Sequence, residues 1–182
     1  EDNHLNVWMC IKEEGLCKLE RSTGKIISFS SKKPENETRI LQDRNLKYYW
    51  VGTWGNGVAR FDPDAAGEDM YIYQPATQKK QSEVDDRVIY MEQDDVYGYL
   101  WVVTYSDLLV FRINEEDMLE RVDISNLLPR RSKMLHSIIK DRDKNLWVSA
   151  YDSKSCIINL KKNAVNEFSI PAFDKRFHAN PA

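Results

Sequence analysis

Short apolar segments separated by polar clusters run along the whole chain. The apolar segments are four to eight residues long, are rich in Val, Ile, Tyr, Trp and Phe, and are interrupted by Gly, Asn, Asp or Lys. Segments of this length and composition favour β-strands over helices. The pattern therefore predicts an all-β chain.

Four of these segments begin with tryptophan and follow one plan. They start at Trp8, Trp50, Trp101 and Trp147, at intervals of 42, 51 and 46 residues. Each ends with two apolar residues three apart, which are Ile26 and Phe29, Met70 and Tyr73, Leu119 and Val122, and Val165 and Phe168. The last of each pair follows its tryptophan by 21, 23, 21 and 21 positions. Such self-similarity is typical of a repeat protein.

A further apolar segment that ends in an acid precedes three of the tryptophans. The segments are RILQD, VIYMEQDD and LHSIIKD, with aspartates at Asp43, Asp94 and Asp141. Each unit is thus predicted to hold four antiparallel strands, the pattern of a β-propeller blade. The predicted units are residues 1–30, which is incomplete, 37–74, 86–123 and 134–170, followed by a tail at 171–182.

The repeated residues have predicted structural roles. The tryptophans are expected at equivalent positions, each largely buried between neighbouring blades, where their large rings supply apolar area. The aspartates are expected to cap turns by accepting backbone N–H groups. The segment WGNG, Trp54 to Gly57, is predicted to be a hairpin in which Gly and Asn supply positive φ. A phosphate-binding loop is the alternative, but a helix would follow it, whereas VARFDP predicts a strand.

The residues also resemble a known family. The segments RILQDRNLKYYWVGTWGNGVARFDP, YMEQDDVYGYLWVVT and SIIKDRDKNLWVSA resemble two-component regulator propeller repeats, and the resemblance covers nearly the whole chain. It implies the periplasmic sensor region of hybrid two-component system histidine kinases of gut bacteria, a seven-bladed type of propeller, and carbohydrate sensing. The chain departs from the family pattern where Val103 and Ser149 replace the glycine found at Gly52, and where Ala150 replaces Thr53. No kinase segment is present.

The first unit lacks its apolar-Asp strand, and the tail stops before another unit would start. Repeats of this kind bury their faces only against neighbours, and unpaired sheet edges favour association. We therefore expect a segment of a longer propeller, completed by neighbouring blades or by another copy of the chain.

The composition argues against several classes of binding partner. The formal charge of −3 and the pI near 5.7 leave no basic stripe, so no nucleic acid is expected. No apolar run is long enough to cross a bilayer, so no membrane contact is expected within this segment. Cys10, Cys17 and Cys156 have no metal-ligand spacing with the histidines, so neither a metal nor a cofactor is expected.

Two kinds of catalytic or metal-binding group are compared with a structural role. The repeated aspartates could form acid and base pairs for glycoside cleavage, and Gln93 to Asp95 could contact calcium, but equivalent places in successive units favour turn capping. His136 is interpreted as a strand-edge residue rather than a base. We therefore predict a non-catalytic ligand-sensing segment. The alternatives are a polysaccharide lyase or glycosidase on a propeller, and a protein–protein scaffolding propeller.

Cys10 and Cys17 flank the segment IKEEGL symmetrically. In a tight hairpin they would lie opposite each other, so a cross-strand disulfide and two separate thiols are both compatible with the sequence.

A ligand site is predicted on the hairpins that join the second and third strands. Lys12, Trp54, Tyr105 and Tyr151 lie four residues after the repeat tryptophans, on one face. The polar neighbours Asn56, Asp107 and Asp152 would place hydrogen-bonding groups beside flat rings, which suits an oligosaccharide or another small ligand. The predicted site is therefore Trp54, Asn56, Tyr105, Asp107, Tyr151 and Asp152. The alternative is that these aromatic rings only cover the ends of the core.

Overall fold

The computed structural model describes residues 1–11, 14–29, 37–64, 71–73, 87–105, 107–124, 135–150, 155–162 and 164–168. Within these ranges the chain forms β-strands and no helix. The strands are β1 (Val7–Ile11), β2 (Gly15–Glu20), β3 (Lys25–Ser28), β4 (Glu37–Gln42), β5 (Tyr49–Thr53), β6 (Val58–Phe61), β7 (Tyr71–Tyr73), β8 (Val88–Gln93), β9 (Leu100–Thr104), β10 (Leu108–Ile113), β11 (Leu119–Arg121), β12 (Leu135–Lys140), β13 (Leu146–Ala150), β14 (Ser155–Asn159) and β15 (Ala164–Phe168).

The strands form four antiparallel sheets, each built from consecutive strands. Sheet 1 holds β1 to β3, sheet 2 holds β4 to β7, sheet 3 holds β8 to β11 and sheet 4 holds β12 to β15. The four-stranded plan is confirmed in sheets 2 to 4. Sheet 1 has three strands among the described residues, and the first of them, β1, contains the repeat tryptophan Trp8.

The core is a series of interfaces between successive sheets. Leu16, Phe29 and Phe61 belong to the cluster between sheets 1 and 2. Trp50, Val88 and Phe111 belong to the cluster between sheets 2 and 3, and a third cluster joins sheets 3 and 4. The first strands of sheets 2, 3 and 4 lie next to one another. This arrangement is that of adjacent propeller blades, in which each sheet buries its faces against its neighbours.

The repeat tryptophans take equivalent places, because each is the second residue of β1, β5, β9 or β13. Their burial is unequal, however. Trp50 and Trp101 are 0% and 1% exposed, Trp8 is partly buried, and Trp147 is 36% exposed. The prediction that all four are largely buried is therefore wrong for Trp147. Each of the other three faces the next sheet, whereas among the described residues no sheet packs on the Trp147 side of sheet 4.

The two ends of each sheet have different turns. The turns that contain the repeat aspartates join first and second strands, and we call this end the aspartate end. The hairpins that follow Thr53 and Thr104 join second and third strands, so they lie at the opposite end, the hairpin end. His136 lies where the register of β12 shifts against β13, and its side chain is exposed, in agreement with its interpretation as a strand-edge residue.

The pairing of β1 with β2 excludes a disulfide between Cys10 and Cys17. Cys10 lies opposite Leu16, and Met9 lies opposite Cys17, so the two thiols point to opposite faces of the sheet. No disulfide involves either cysteine. Cys10 therefore lies opposite the residue before Cys17, and this register is set at the hairpin between β1 and β2. The Glu14 N–H donates to the Ile11 carbonyl at 3.1 Å, and Gly15 begins β2 with φ of 73°.

Candidate functional site

Threonine residues build the two described hairpins at the hairpin end. Thr53 and Thr104 are buried at the ends of β5 and β9. Their hydroxyl oxygens accept backbone N–H groups of Asn56 and Asp107, each at 3.0 Å. The same hydroxyls donate to the carbonyls of Gly57 at 2.9 Å and of Asp107 at 3.1 Å. The two hairpins are thus held in the same way, and each presents an aromatic residue directly after its threonine.

The segment Trp54 to Gly57 is a hairpin, as predicted. Gly55 and Gly57 have φ of 111° and 70°, which glycine adopts without steric cost, and β6 follows directly. Asn56 is not among the residues with positive φ, so that part of the prediction is wrong. A strand rather than a helix follows the glycines, which excludes the phosphate-loop alternative.

Adjacent sheets bring two of the predicted site residues together. Trp54 and Tyr105 are 48% and 43% exposed, and their ring centroids lie 6.4 Å apart in an edge-to-face arrangement. The guanidinium carbon of Arg87 lies 5.6 Å from the Trp54 ring and 4.4 Å from the Tyr105 ring. We call Trp54, Arg87 and Tyr105 the aromatic site.

The backbone fixes Arg87 in this position. It pairs with Trp54 in an isolated β-bridge, and its carbonyl accepts the Tyr105 N–H at 3.0 Å. The side chain therefore starts between the two hairpins, at the junction of sheets 2 and 3. Cation–π attraction adds to this contact.

The other predicted site residues fall into two groups. Asn56 and Asp107 lie partly buried on the same two hairpins, and one oxygen of Asp107 accepts the Leu108 N–H at 3.1 Å. Lys12, Tyr151 and Asp152 lie outside the described residues.

Sequence analysis missed Arg87. It lies seven residues before the repeat aspartate of its unit, and the corresponding residues of the second and fourth units are Asn36 and Met134. The residue is therefore not part of the repeat. Arg87 is distinguished from other arginines by its position beside an aromatic hairpin. This position can be recognised only in the structure.

A second arginine stacks on an aromatic ring at the same junction of sheets. The guanidinium carbon of Arg39, on β4, lies 4.3 Å from the Tyr90 ring centroid on β8. Its Nε donates to the Ile89 carbonyl at 3.0 Å. Arg39 lies opposite Gly52, and Tyr90 lies opposite Val103.

At the aspartate end, each repeat aspartate accepts the indole N–H of its tryptophan. The four bonds are Trp8 to Asp2 at 2.9 Å, Trp50 to Asp43 at 3.3 Å, Trp101 to Asp94 at 2.9 Å and Trp147 to Asp141 at 2.8 Å. Asp2 is thus the first repeat aspartate, which sequence analysis missed because no apolar strand precedes it. These indole bonds were not predicted.

The aspartates also cap turns, as predicted. Asp94 accepts the backbone N–H groups of Val96, Tyr97, Gly98 and Tyr99 at 2.6 to 3.2 Å. Burial raises the pKa of Asp2, but bonds from Trp8, Asn6 and Tyr49 outweigh this and lower it to about 2. The bonds from Trp147 and Asn145 lower the pKa of Asp141. Because these oxygens are occupied by structural donors, the repeat aspartates hold turns and tryptophans in place.

Polar contacts at the aspartate end also join successive sheets. The residue before a repeat aspartate contacts the residue after the repeat aspartate of the preceding sheet. Gln42 and Asn3 exchange two bonds of 2.8 Å, Gln93 accepts the Arg44 N–H at 2.7 Å, and Lys140 donates to Asp95 at 3.0 Å. Gln93 and Asp95 are therefore engaged within the protein, and the described residues contain no group of three side chains suited to a metal ion.

Across the part of the chain that the structure describes, no helix is long and apolar enough to cross a membrane.

Comparison with known proteins gives matches among solved structures. No protein-family model matches the chain, and no curated protein matches it. The chain resembles the extracellular domain of BT3049 from B. thetaiotaomicron, assigned as a hybrid two-component system, with a TM-score of 0.67 and 19% identity. The match covers 94% of this chain and 24% of that one, so this chain spans about a quarter of that domain.

Two further structures extend the comparison. The extracellular domain of BT4673 from the same organism, also assigned as a hybrid two-component system, matches with a TM-score of 0.53 at 17% identity, over 80% of this chain and 19% of that one. Virginiamycin B lyase from Staphylococcus aureus matches with a TM-score of 0.63 at 14% identity, over 93% of this chain and 54% of that one. At these identities the likeness establishes the fold, which is that of a β-propeller segment.

Proposed function

We propose that this chain is a non-catalytic, extracytoplasmic ligand-sensing segment of a hybrid two-component sensor, located in the periplasm, and that it binds an oligosaccharide at its hairpin end. The repeat motifs and the likeness to the extracellular domains of BT3049 and BT4673 support the sensor assignment. The paired rings of Trp54 and Tyr105 support the ligand class.

The aromatic pair is the observation on which the ligand proposal rests. Two large rings, each nearly half exposed, come from adjacent sheets and lie 6.4 Å apart. Rings in this position offer apolar faces to the C–H groups of a sugar, and Asn56 and Asp107 on the same hairpins offer hydrogen-bonding groups. The aspartate end is a less suitable binding site, because its repeat carboxylates already accept hydrogen bonds from turn residues and tryptophans.

Calorimetric titration of an oligosaccharide panel tests this proposal. The wild-type chain is compared with a Trp54→Ala, Tyr105→Ala variant. The matched control is Tyr97→Ala, which removes an exposed ring at the aspartate end. We expect the hairpin variant to lose binding and the control to retain it, with circular dichroism showing that both are folded.

Other outcomes assign other functions. Unchanged affinity in the folded hairpin variant contradicts the site. Release of product from a polysaccharide, measured on the same panel, would instead indicate a polysaccharide lyase or glycosidase. The structural neighbour virginiamycin B lyase is an enzyme by name, although its name refers to a different substrate. Capture of a protein partner without any glycan binding would indicate a scaffolding propeller.

We also propose that a further sheet of the same repeat type packs on the outer face of sheet 4. Ile139 and Trp147 lie opposite each other on this face and are exposed, and Trp147 occupies the position that sheets 1 to 3 turn towards their next neighbour. Radical footprinting of Trp147 tests the proposal. We expect lower modification in the product of the full reading frame than in this chain. Equal modification contradicts the proposal, and protection that rises with the concentration of this chain would assign the face to a second copy.

A further inference from the structure

We infer that the aspartate end of the sheets docks on an anionic lipid surface, through a row of exposed apolar side chains and the basic side chains beside them. The inference is independent of the proposed carbohydrate site, which lies at the opposite end. Sequence analysis argued against membrane contact because no apolar run is long enough to cross a bilayer. Binding at the surface of a bilayer needs no such run.

Three successive turns at the aspartate end expose an apolar side chain at the same position. The residue three places after the repeat aspartate is Leu5, Leu46 or Tyr97, in sheets 1, 2 and 3. These side chains are 56%, 54% and 58% exposed. Because equivalent turns of adjacent sheets lie side by side, the three residues form a row across this end, which we call the apolar row.

The two leucines of the apolar row are held in a conformation that leucine does not favour. Leu5 and Leu46 have φ of 63° and 61°, and each N–H donates to the carbonyl of its repeat aspartate, at 3.0 and 2.8 Å. Positive φ is costly for leucine, and an exposed side chain gains little apolar burial in return. Leucine at these positions therefore does not serve the fold of this chain, which points to a contact outside it.

Basic side chains lie beside the apolar row, although the whole chain has a formal charge of −3. Arg44 and Lys47 lie on either side of Leu46 in the turn of sheet 2, and Arg142 and Lys144 lie in the turn of sheet 4. All four basic residues are exposed. Within the described residues, Arg44 and Arg142 form no ion pair. The exposed part of these turns is thus both apolar and cationic.

The acids at this end offset only part of the positive charge. Lys47 lies 3.7 Å from Asp117 and is 62% exposed, and Lys144 lies 3.9 Å from Asp95 and is 47% exposed. Water screens such pairs, so both ammonium groups can also contact an anion outside the chain. Asp143 is the one exposed acid in the four described turns that hold repeat aspartates. The exposed charges on the outer turns of sheets 3 and 4 balance, and they are Glu115, Glu116, Lys161 and Lys162.

This combination fits a lipid surface better than a protein partner. The buried core of a protein interface is depleted of charged residues, whereas here cations lie among the apolar side chains. A bilayer accepts separate apolar side chains at the boundary between headgroups and acyl chains, and anionic headgroups attract the lysines and arginines around them. Docking in this way would leave the hairpin end, with Trp54 and Tyr105, facing away from the lipid.

Vesicle sedimentation tests the inference. The 182-residue chain is mixed with vesicles of phosphatidylcholine, and separately with vesicles of equal parts of phosphatidylcholine and phosphatidylglycerol. We expect binding to the anionic vesicles to be about ten-fold or more stronger than to the neutral ones. The preference should weaken as salt is added, because salt screens the attraction.

Two double variants separate the apolar and the electrostatic parts. Leu5→Asn with Leu46→Asn introduces a residue that tolerates positive φ, so the turns should stay folded while binding to anionic vesicles falls several-fold. Arg44→Gln with Arg142→Gln should weaken this binding about ten-fold or more and reduce its dependence on salt. Trp54→Ala removes an exposed ring at the hairpin end and should bind vesicles like the wild-type chain. Circular dichroism checks that each variant is folded.

The remaining outcomes overturn the inference. Equal binding to neutral and anionic vesicles, or unchanged binding in both folded turn variants, would show that the aspartate end is not a lipid-docking surface. Binding that is lost in Ile139→Asn but kept in the turn variants would assign it to the outer face of sheet 4. A chain that sediments with neither vesicle but binds an acidic peptide through Arg44 would assign the aspartate end to a protein partner. Loss of glycan binding in Trp54→Ala, Tyr105→Ala concerns the proposed function alone.

Discussion

At the scale of single residues, the repeat aspartates anchor the tryptophans of their units through hydrogen bonds to their carboxylate oxygens. Asp2 illustrates this, because the bonds to its carboxylate hold its pKa at about 2, below the ordinary value of 3.8. A carboxyl group with a lowered pKa in the folded state stabilises the fold above its unfolded pKa, and this stabilisation is lost as pH falls through the folded pKa. The relevant window therefore runs from about pH 4 to about pH 2.

We expect the wild-type chain to have a higher free energy of unfolding than Asp2→Asn near pH 5. This difference should decrease by about 2 kcal/mol as the pH falls from about 5 to about 2. Urea unfolding at a series of pH values measures it. Glu115→Gln, at an exposed position, changes the net charge equally and serves as the control. Parallel pH curves for the wild-type chain and Asp2→Asn would contradict the prediction.

Leu46 is a residue in an unfavourable conformation. It has φ of 61°, and its N–H donates to the Asp43 carbonyl at 2.8 Å, within the turn that Asp43 caps. The side chain is exposed, so it contributes little apolar burial. The corresponding turn of sheet 3 places Gly98 at φ of 73°. Positive φ is costly for leucine and tolerated by asparagine.

We therefore expect Leu46→Asn to stabilise the chain by about 0.5 to 1 kcal/mol, seen as a higher denaturation midpoint with an unchanged slope. Leu46→Ala removes the same apolar side chain without gaining tolerance of positive φ, so it should remain near the wild-type value. Equal stability of the Asn and Ala variants would show that backbone strain at this turn is negligible.

At the scale of elements, the contact between sheets 2 and 3 depends on a glycine. A Cβ atom at Gly52, on β5, would lie 2.5 Å from Cγ1 of Val88 and 3.1 Å from its Cβ. Val88 is fully buried and β-branched, so it cannot rotate away at low cost. Overpacking at such a position costs about 1 to 3 kcal/mol. We therefore expect Gly52→Ala to lower the free energy of unfolding by this amount.

A double-mutant cycle with Val88→Ala measures whether this close approach is the cause. We expect Gly52→Ala to be less destabilising, by about 1 kcal/mol, in the Val88→Ala background. Gly55→Ala is the control, because it is strained by its φ of 111° but has nothing within 4 Å of the added atom. Its effect should be independent of Val88. Additive losses for Gly52 and Val88 would refute the mechanism.

Much of this element structure follows from the sequence, because a period set by tryptophans and aspartates specifies strands of definite length and order. The features that sequence analysis missed depend on local or non-repeated details. The pairing register of β1 with β2, in which Ile11 lies opposite Gly15, places Cys10 and Cys17 on opposite faces of the sheet. Asp2 lacks the strand that would have identified it. Arg87 is not repeated, so no pattern marks it.

At the scale of the whole molecule, stability is expected to depend on position in the series of sheets. Among the described residues, successive sheets are joined by an apolar interface and by a polar contact at the aspartate end. In such arrays, stability is approximately a sum over repeats and nearest-neighbour interfaces. The same substitution should then have different effects in inner and outer sheets.

The repeat tryptophans provide the comparison. Trp101 and Trp147 both donate to their repeat aspartate, at 2.9 and 2.8 Å, so truncation removes a similar bond from each. Trp101 is 1% exposed between sheets 3 and 4, whereas Trp147 is 36% exposed. We expect Trp101→Ala to cost about 3 to 5 kcal/mol and Trp147→Ala about 1 to 2 kcal/mol, measured by chemical denaturation. Equal losses would contradict the nearest-neighbour description. In a longer product that adds a sheet next to sheet 4, the cost of Trp147→Ala should rise towards that of Trp101→Ala, because the same ring would then be buried on both sides.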